Sequence, residues 1–168
     1  MTWYYLRVPV SESIIPEWAV GFVYKITHKP SGYYYIGKKA LYSYRNVKIG
    51  KRELEEIKED RSQKGIKGRL PKKKKVVKES DWEKYFSSNE WIKEQIKEGK
   101  EDDFDREILR FCSTKKSLTY WEVKYQMLDG MLENEKSLNN NILGTFYKKD
   151  VLEDLQKQKT DEVVYEHK

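Results

Sequence analysis

The chain has 168 residues, of which 34 are Lys or Arg and 28 are Asp or Glu, giving a formal net charge of +6. Its 38% hydrophobic and 14% aromatic content excludes a disordered chain, and its length suits a single hydrophobic core. No apolar run approaches the roughly 20 residues that span a bilayer, and the first ten residues lack a basic segment followed by an apolar one, which excludes a membrane or secretory protein. Cys112 has no second cysteine to pair with, and His28 and His167 leave too few soft ligands for structural zinc. A reducing, cytoplasmic location is expected. A pI near 9.1 with many interspersed aromatics is compatible with a nucleic-acid partner.

In chain order, Trp3 to Val8 have strand-like residues and are expected at the edge of a sheet, with a loop over residues 11–16. Residues 20–26 and 33–36 alternate β-branched, aromatic and polar side chains around Lys29-Pro30-Ser31-Gly32, which predicts a β-hairpin. Leu54, Ile57 and Arg61 at helical spacing among charges predict a short exposed helix over 51–61. Residues 64–78 hold eight basic side chains and no acid, broken by Gly65, Gly68 and Pro71, and read as a loop or mobile arm. Cap signals at Ser80-Asp81-Trp82-Glu83 and Ser87-Ser88-Asn89-Glu90 predict two helical pieces, the second ended by Gly99. Residues 104–112 alternate and read as a third strand. Leu118, Trp121, Tyr125, Leu128 and Met131 or Leu132 make one stripe of a helix over 117–131. Leu138 to Ile142 form a polar turn, 149–159 a terminal helix, and the last ten residues a tail without structure. There is no internal repeat. The expected organisation is an N-terminal extension (1–19), one domain (20–145) with a basic insertion at about 46–79, and a C-terminal helix and tail (146–168).

Gly21-Phe22-Val23-Tyr24-Lys25-Ile26-Thr27 followed by Tyr33-Tyr34-Tyr35-Ile36-Gly37-Lys38 resembles the paired signature of the GIY-YIG nuclease family. Phe22-Val23-Tyr24 stands where Gly-Ile-Tyr would, and Tyr35-Ile36-Gly37 matches the second triplet. The order of hairpin, helix, third strand, glutamate-bearing helix and asparagine turn over residues 20–142 is similar to that family. The wording around Ser80-Asp81-Trp82, 104–109 and Glu122-Val123-Lys124-Tyr125-Gln126 is similar to its Seg-like free-standing homing endonucleases of phages. The resemblance implies an α/β fold in which a small three-stranded antiparallel sheet is flanked by helices. It also implies a metal-dependent endonuclease that hydrolyses phosphodiester bonds in double-stranded DNA, with Mg²⁺ or Mn²⁺ as cofactor. The oligomeric state is left unknown. A catalytically inactive nucleic-acid or protein-binding module on the same scaffold is the other reading.

Phosphodiester hydrolysis needs a nucleophilic water, a base for its proton, a cation for the developing charge and help for the leaving oxygen. Tyr24 and Tyr35 on neighbouring strands can share a face, although an isolated tyrosine with a pKa near 10 is a poor base until nearby cations assist it. By resemblance Tyr24 is the general base or water-orienting residue and Tyr35 its partner for water or phosphate. Gly37 leaves room beside Tyr35. Arg45, eight residues beyond Gly37, would hold the phosphate with its planar fork of donors, and Arg52 is the substitute. Glu122 would be the single metal-binding carboxylate, which suits a Mg²⁺ that keeps much of its water. Asn139 would support the site, with Asn140 and Asn141 adjacent. Lys38, Lys39, Arg52 and Lys72, Lys73, Lys74 and Lys75 are the expected DNA-binding cations, the lysine run gripping the backbone without choosing sequence. His28 beside the hairpin turn and Ser87-Ser88 before a helix are minor candidates. Cys112 is not expected to act as a nucleophile, and Trp82, Trp91 and Trp121 are read as core.

Overall fold

The computed structural model describes residues 2–166, and from residue 159 onward its backbone only. The chain divides into two compact units, Met1–Leu41 together with Asp81–Lys168, and Tyr42–Ser80.

The first unit is built on a five-stranded sheet in the order β2-β1-β7-β3-β4. Strands β3 (Gly21–His28) and β4 (Tyr34–Ala40) are the predicted hairpin, paired antiparallel from Gly21↔Ala40 to Thr27↔Tyr34. Gly32 turns it at φ +71°, a backbone region that only glycine adopts at little cost. The predicted third strand is β7 (Phe104–Cys112), antiparallel to β3. The sheet differs from the expected three antiparallel strands because β1 (Tyr4–Tyr5) adds parallel to β7 and β2 (Val8–Pro9) folds back beside it. Two-residue strands carry no alternation to read, so only their place at the edge was foreseeable. The described residues contain no helix long and apolar enough to cross a membrane.

Both faces of the sheet are covered. On one, Phe22, Tyr24, Ile26, Phe104 and Ile108 pack with Trp3, Trp82 and Ile92. On the other, Val23, Tyr34 and Ile36 pack with Leu118, Trp121 and Tyr125 of helix α3 (Lys115–Leu128). The register of β7 slips by one residue at Val23/Tyr24, so the simple alternation expected through 104–112 breaks there. Phe111 therefore joins Ile108 on the first face, while the Arg110 guanidinium lies 3.7 Å from the Trp121 ring centre on the second. Helix α3 begins two residues before the expected start because Thr114 and Ser117 form a capping box. Leu128, expected in its buried stripe, is exposed at the helix end.

The segment before the sheet's last strand carries the cap signals. Ser80-Asp81-Trp82-Glu83 yields only a 3-10 turn, Trp82–Lys84. The second signal opens α2 (Glu90–Lys97), with the Asn89 side chain accepting from the Ile92 amide at 3.2 Å. After α3 the chain forms a small hairpin, β8 (Asn141–Ile142) and β9 (Phe146–Tyr147), and helix α4 (Lys148–Glu166). Val151 of α4 packs with Met131, Leu132 and Ile142. The tail expected to lack structure continues α4 to Glu166, and residues 167–168 lie outside the described residues.

The second unit is an antiparallel ribbon of β5 (Tyr42–Lys48) and β6 (Lys73–Glu79) with helix α1 (Lys51–Gln63) between them in sequence. The helix was expected. The loop or arm expected over 64–78 is corrected here, because Lys73 to Lys78 are strand residues paired with β5 from Lys48↔Lys73 to Ser43↔Lys78.

Arg106 is the largest fully buried side chain, 2% exposed. Its guanidinium lies between the rings of Trp3 (4.8 Å) and Phe86 (4.4 Å) and donates to the Glu83 and Tyr85 carbonyls at 2.9 and 3.0 Å. Burial lowers its pKa to about 10, which leaves it charged at neutral pH. It thus ties residues 83–86 to the sheet. Arg106→Ala is expected to lower stability by about 2–4 kcal/mol in urea unfolding, because two partly buried carbonyls lose their donor and a cavity opens at a buried side chain. Arg106→Met, which restores the packing alone, should lose less, and equal losses for the two variants would contradict the hydrogen-bonding role.

Candidate active site

The site is organised by β4, an edge strand of the sheet. Alternation sends Tyr35, Gly37 and Lys39 to the face that holds Tyr24, and Ile36 and Lys38 to the face under α3. Gly37 lies directly opposite Tyr24 in the register, and the Tyr24 ring crosses over it. A β-carbon on Gly37 would come within 2.7 Å of Tyr24 Oη, 2.7 Å of Tyr35 Cε1 and 2.9 Å of Tyr24 Cζ. Any side chain there would displace one tyrosine or the other, so the residue after Tyr35-Ile36 is a glycine for steric reasons.

Tyr24 and Tyr35 have ring centres 6.2 Å apart, tilted by 35°. Tyr24 is 1% exposed, packed edge-on against Trp3 and Tyr85, and its hydroxyl donates to Tyr85 Oη at 3.4 Å. The Tyr35 hydroxyl shares a 2.9 Å hydrogen bond with Ser88 Oγ. Burial, followed by the neighbouring phenols Tyr85 and Tyr35, pushes the Tyr24 pKa well above its ordinary value. Burial is also the main cause that raises Tyr35. Both are therefore neutral phenols near pH 7, able to donate and accept hydrogen bonds but not standing phenolates. Tyr85 had no signal in the sequence. It reaches the site because Arg106 fixes its carbonyl and because the Lys39 ammonium sits 3.8 Å from its ring centre while bonding Asp81 at 2.6 Å.

On the opposite face, Glu122 of α3 forms a 2.7 Å ion pair with Lys38, whose ammonium also donates to Thr119 Oγ1 at 3.0 Å. Tyr35, Lys38, Ser88, Glu122, Gln126 and Asn139 all line one polar cleft of about 430 Å³. The cleft thus collects groups from both faces of β4 at its open edge.

Asn139 explains why that edge is held in place. The chain beside β4 pairs with it through the Tyr34 amide to the Lys136 carbonyl (3.0 Å) and the Leu138 amide to the Tyr34 carbonyl (2.7 Å). One step further the Asn139 carboxamide takes over, accepting from the Ile36 amide at 2.9 Å and donating to the Ile36 carbonyl at 2.8 Å. Gln126 donates to the same carbonyl at 3.0 Å. Asn139 is 4% exposed, whereas Asn140 and Asn141 are exposed.

The structure therefore brings together Tyr24, Tyr35, Gly37, Lys38, Lys39, Glu122 and Asn139. Arg45 in β5, Arg52 in α1 and Lys72 to Lys75 all belong to the second unit. Arg45 stands on a strand, because residues 42–48 pair with β6. His28 bonds Ser31 Oγ at 2.7 Å and packs on Trp91 and Phe104, which marks it as part of the hairpin turn. Ser87 is buried and accepts from the Asn89 amide. Cys112 is buried, and burial raises its thiol pKa. The described residues hold no group of three or more His, Cys, Asp or Glu able to bind a metal; two carboxylates line the cleft, Glu122 and Glu90, and Glu90 pairs with Lys93 at 2.7 Å.

The family model described as "Putative endonuclease segE, GIY-YIG domain" matches residues 3–151 of the chain. Comparison with curated proteins and with solved structures returned no match.

Gly37→Ala is expected to cost about 1–3 kcal/mol in urea unfolding, the usual range for an added methyl that forces neighbouring groups to move. Near-UV circular dichroism should change with it as the tyrosines shift. A variant with unchanged stability and tyrosine signal would contradict the close approach of Tyr24.

Proposed function

The chain belongs to the GIY-YIG endonuclease family, and on that premise we propose that it is a divalent-metal-dependent nuclease that hydrolyses phosphodiester bonds of double-stranded DNA, of the phage homing type. The observation that carries this reading is the single cleft in which Tyr35 and Glu122 meet from opposite faces of β4. A hydroxyl for water and a carboxylate for a cation are then within reach of one phosphate.

The residues fit Mg²⁺ or Mn²⁺. One carboxylate, with water and phosphate oxygens completing the coordination, matches an ion that reaches the protein with its substrate and keeps much of its hydration. Glu122 would hold it, and the ion would supply charge neutralisation at the phosphate. Lys38 balances Glu122 in the free protein and can turn its ammonium to a phosphate oxygen when the carboxylate is engaged elsewhere.

The raised pKa of both phenols defines how they work. Tyr35, hydrogen-bonded to Ser88 at the cleft, orients the attacking water or the phosphate as a neutral O–H group. Tyr24 lies behind it and holds Tyr35 and Tyr85 in place. It can accept a proton from water only as the phenolate, which requires that cations arriving with the substrate lower its pKa and that its own proton first leaves to solvent. Asn139 is a positioning residue that fixes Ile36 between Tyr35 and Gly37. Arg45 and Arg52 remain candidate phosphate ligands of the second unit.

The Lys38–Glu122 ion pair also favours a second reading, a binding module in which the lysine has taken the place of a cation. Plasmid cleavage separates the two. The wild-type chain is expected to nick or linearise plasmid with Mg²⁺ or Mn²⁺ and to stop on chelation. Glu122→Ala should lose activity by about 100-fold or more, as expected when a group that stabilises transition-state charge is removed. Tyr35→Phe, which keeps the ring, should lose most of the rate while the fold is unchanged by circular dichroism. DNA binding without cleavage across both metals and varied targets would overturn the nuclease reading in favour of the binding module.

A further inference from the structure

The two units differ sharply in charge. The second, Tyr42–Ser80, carries fourteen Lys and Arg against six Asp and Glu, a net +8, while the rest of the chain, with 20 against 22, carries −2. Helix α1 holds five of the six acids, so β5, β6 and the segments outside the helix carry ten cations against Glu79 alone. The unit that contains the tyrosines and Glu122 cannot by its net charge attract a polyanion. The ribbon can.

Strand pairing sorts the ribbon's side chains onto two faces, since directly opposed residues share a face. Tyr42, Tyr44, Asn46 and Lys48 of β5 fall with Lys73, Lys75, Val77 and Glu79 of β6 on one, where three lysines at one end outnumber the single acid at the other. Lys74 falls on the other, where its ammonium meets both carboxylate oxygens of Glu53 of α1 at 2.7 Å. The acidic helix thus sits toward the Lys74 face and leaves the Asn46 face open. Tyr44 is half-buried, with the Lys75 ammonium 4.2 Å from its ring centre, and the other seven residues are exposed. The Lys75 ammonium covers the Tyr44 ring, which makes that tyrosine a poor stacking platform for a base.

We propose that this open face of the β5–β6 ribbon docks in the major groove of duplex DNA, with Lys48, Lys73 and Lys75 on phosphates and Asn46 on base edges. A groove about 12 Å wide admits a two-stranded ribbon, and an Asn carboxamide matches the N6 and N7 positions of adenine. The inference rests on the nuclease reading for its substrate class and goes beyond it by assigning target recognition to this ribbon. The same face is therefore a sequence-reading element, and not only a grip on the backbone.

The test uses the full chain carrying Glu122→Ala, in chelator, with fluorescence anisotropy on a short duplex and on its single strand. The combined variant Lys48→Ala, Lys73→Ala and Lys75→Ala should weaken duplex binding by about 30-fold or more near 0.1 M salt. It should also flatten the plot of log affinity against log salt by about 2–3, from roughly 0.9 per lost phosphate contact. Lys74→Ala, on the opposite face, should change affinity by less than about threefold. Methyl green, a major-groove ligand, should displace the protein and netropsin, a minor-groove ligand, should not. Asn46→Ala should keep the salt slope but alter which sequences are selected from a random duplex pool. Tighter binding to the single strand, displacement by netropsin alone, an indifferent triple variant or unchanged sequence selection by Asn46→Ala would each overturn the proposal. The two readings fail separately. Ribbon-dependent binding by a wild-type chain that never cuts would remove the nuclease and keep the ribbon, whereas cleavage indifferent to the triple variant would do the reverse.

Discussion

The Tyr24 ring crosses the α-carbon of Gly37, and the site is arranged around that crossing. With no side chain on Gly37, β3 and β4 pair in the register that sets Tyr24 beside Tyr35 on one face. The pleat then sends Lys38 to the opposite face, where it meets Glu122 of α3. One glycine therefore decides the positions of a phenol pair and, through one residue of alternation, of an ion pair. Asn139 makes that arrangement rigid from outside the sheet. Its carboxamide occupies both backbone groups of Ile36, so the residue between Tyr35 and Gly37 is fixed by two hydrogen bonds at the point where the neighbouring backbone has already turned away.

A division of labour follows from charge. The unit holding the cleft is close to neutral and tightly packed on both faces of its sheet, with Arg106 and Trp3 fixing the segment that delivers Tyr85 and Ser88. The second unit is a thin ribbon with a helix, rich in cations and poor in buried surface. On the proposed reading, the chemistry falls to the first unit and most of the affinity for a polyanion to the second.

The legible parts of the sequence were those in which one residue pattern served one role. The hairpin β3–β4 was readable because β-branched and aromatic residues flank a Pro-Ser-Gly turn, and β7 because its side chains alternate over 104–112. The lysine run was misread because a strand exposed along its whole length has no buried face to show as alternation, and consecutive like charges imitate a loop. Its pairing with residues 42–48 is a long-range fact with no local trace. The slip in β7 was equally silent, although it alone explains why Ile108 and Phe111 share a face. Among the candidate site residues, Tyr24, Tyr35, Gly37, Glu122 and Asn139 were named through the family resemblance, and composition or spacing could not have singled them out. Tyr85 and the Lys38–Glu122 pair emerged only from the fold. Arg106 gave no warning, since an arginine in an alternating strand ordinarily points to solvent.

The central claim is that Glu122 and Tyr35 address one cation and one phosphate across the edge of β4. Its most direct test is the paramagnetic broadening of backbone amide signals by Mn²⁺ in the full chain bound to a short phosphorothioate duplex that resists cleavage. The account predicts broadening centred on Tyr35 to Lys39, Glu122 to Gln126 and Asn139 to Asn141, and its loss in Glu122→Ala. Broadening elsewhere in the chain, or a pattern unchanged by Glu122→Ala, would contradict it.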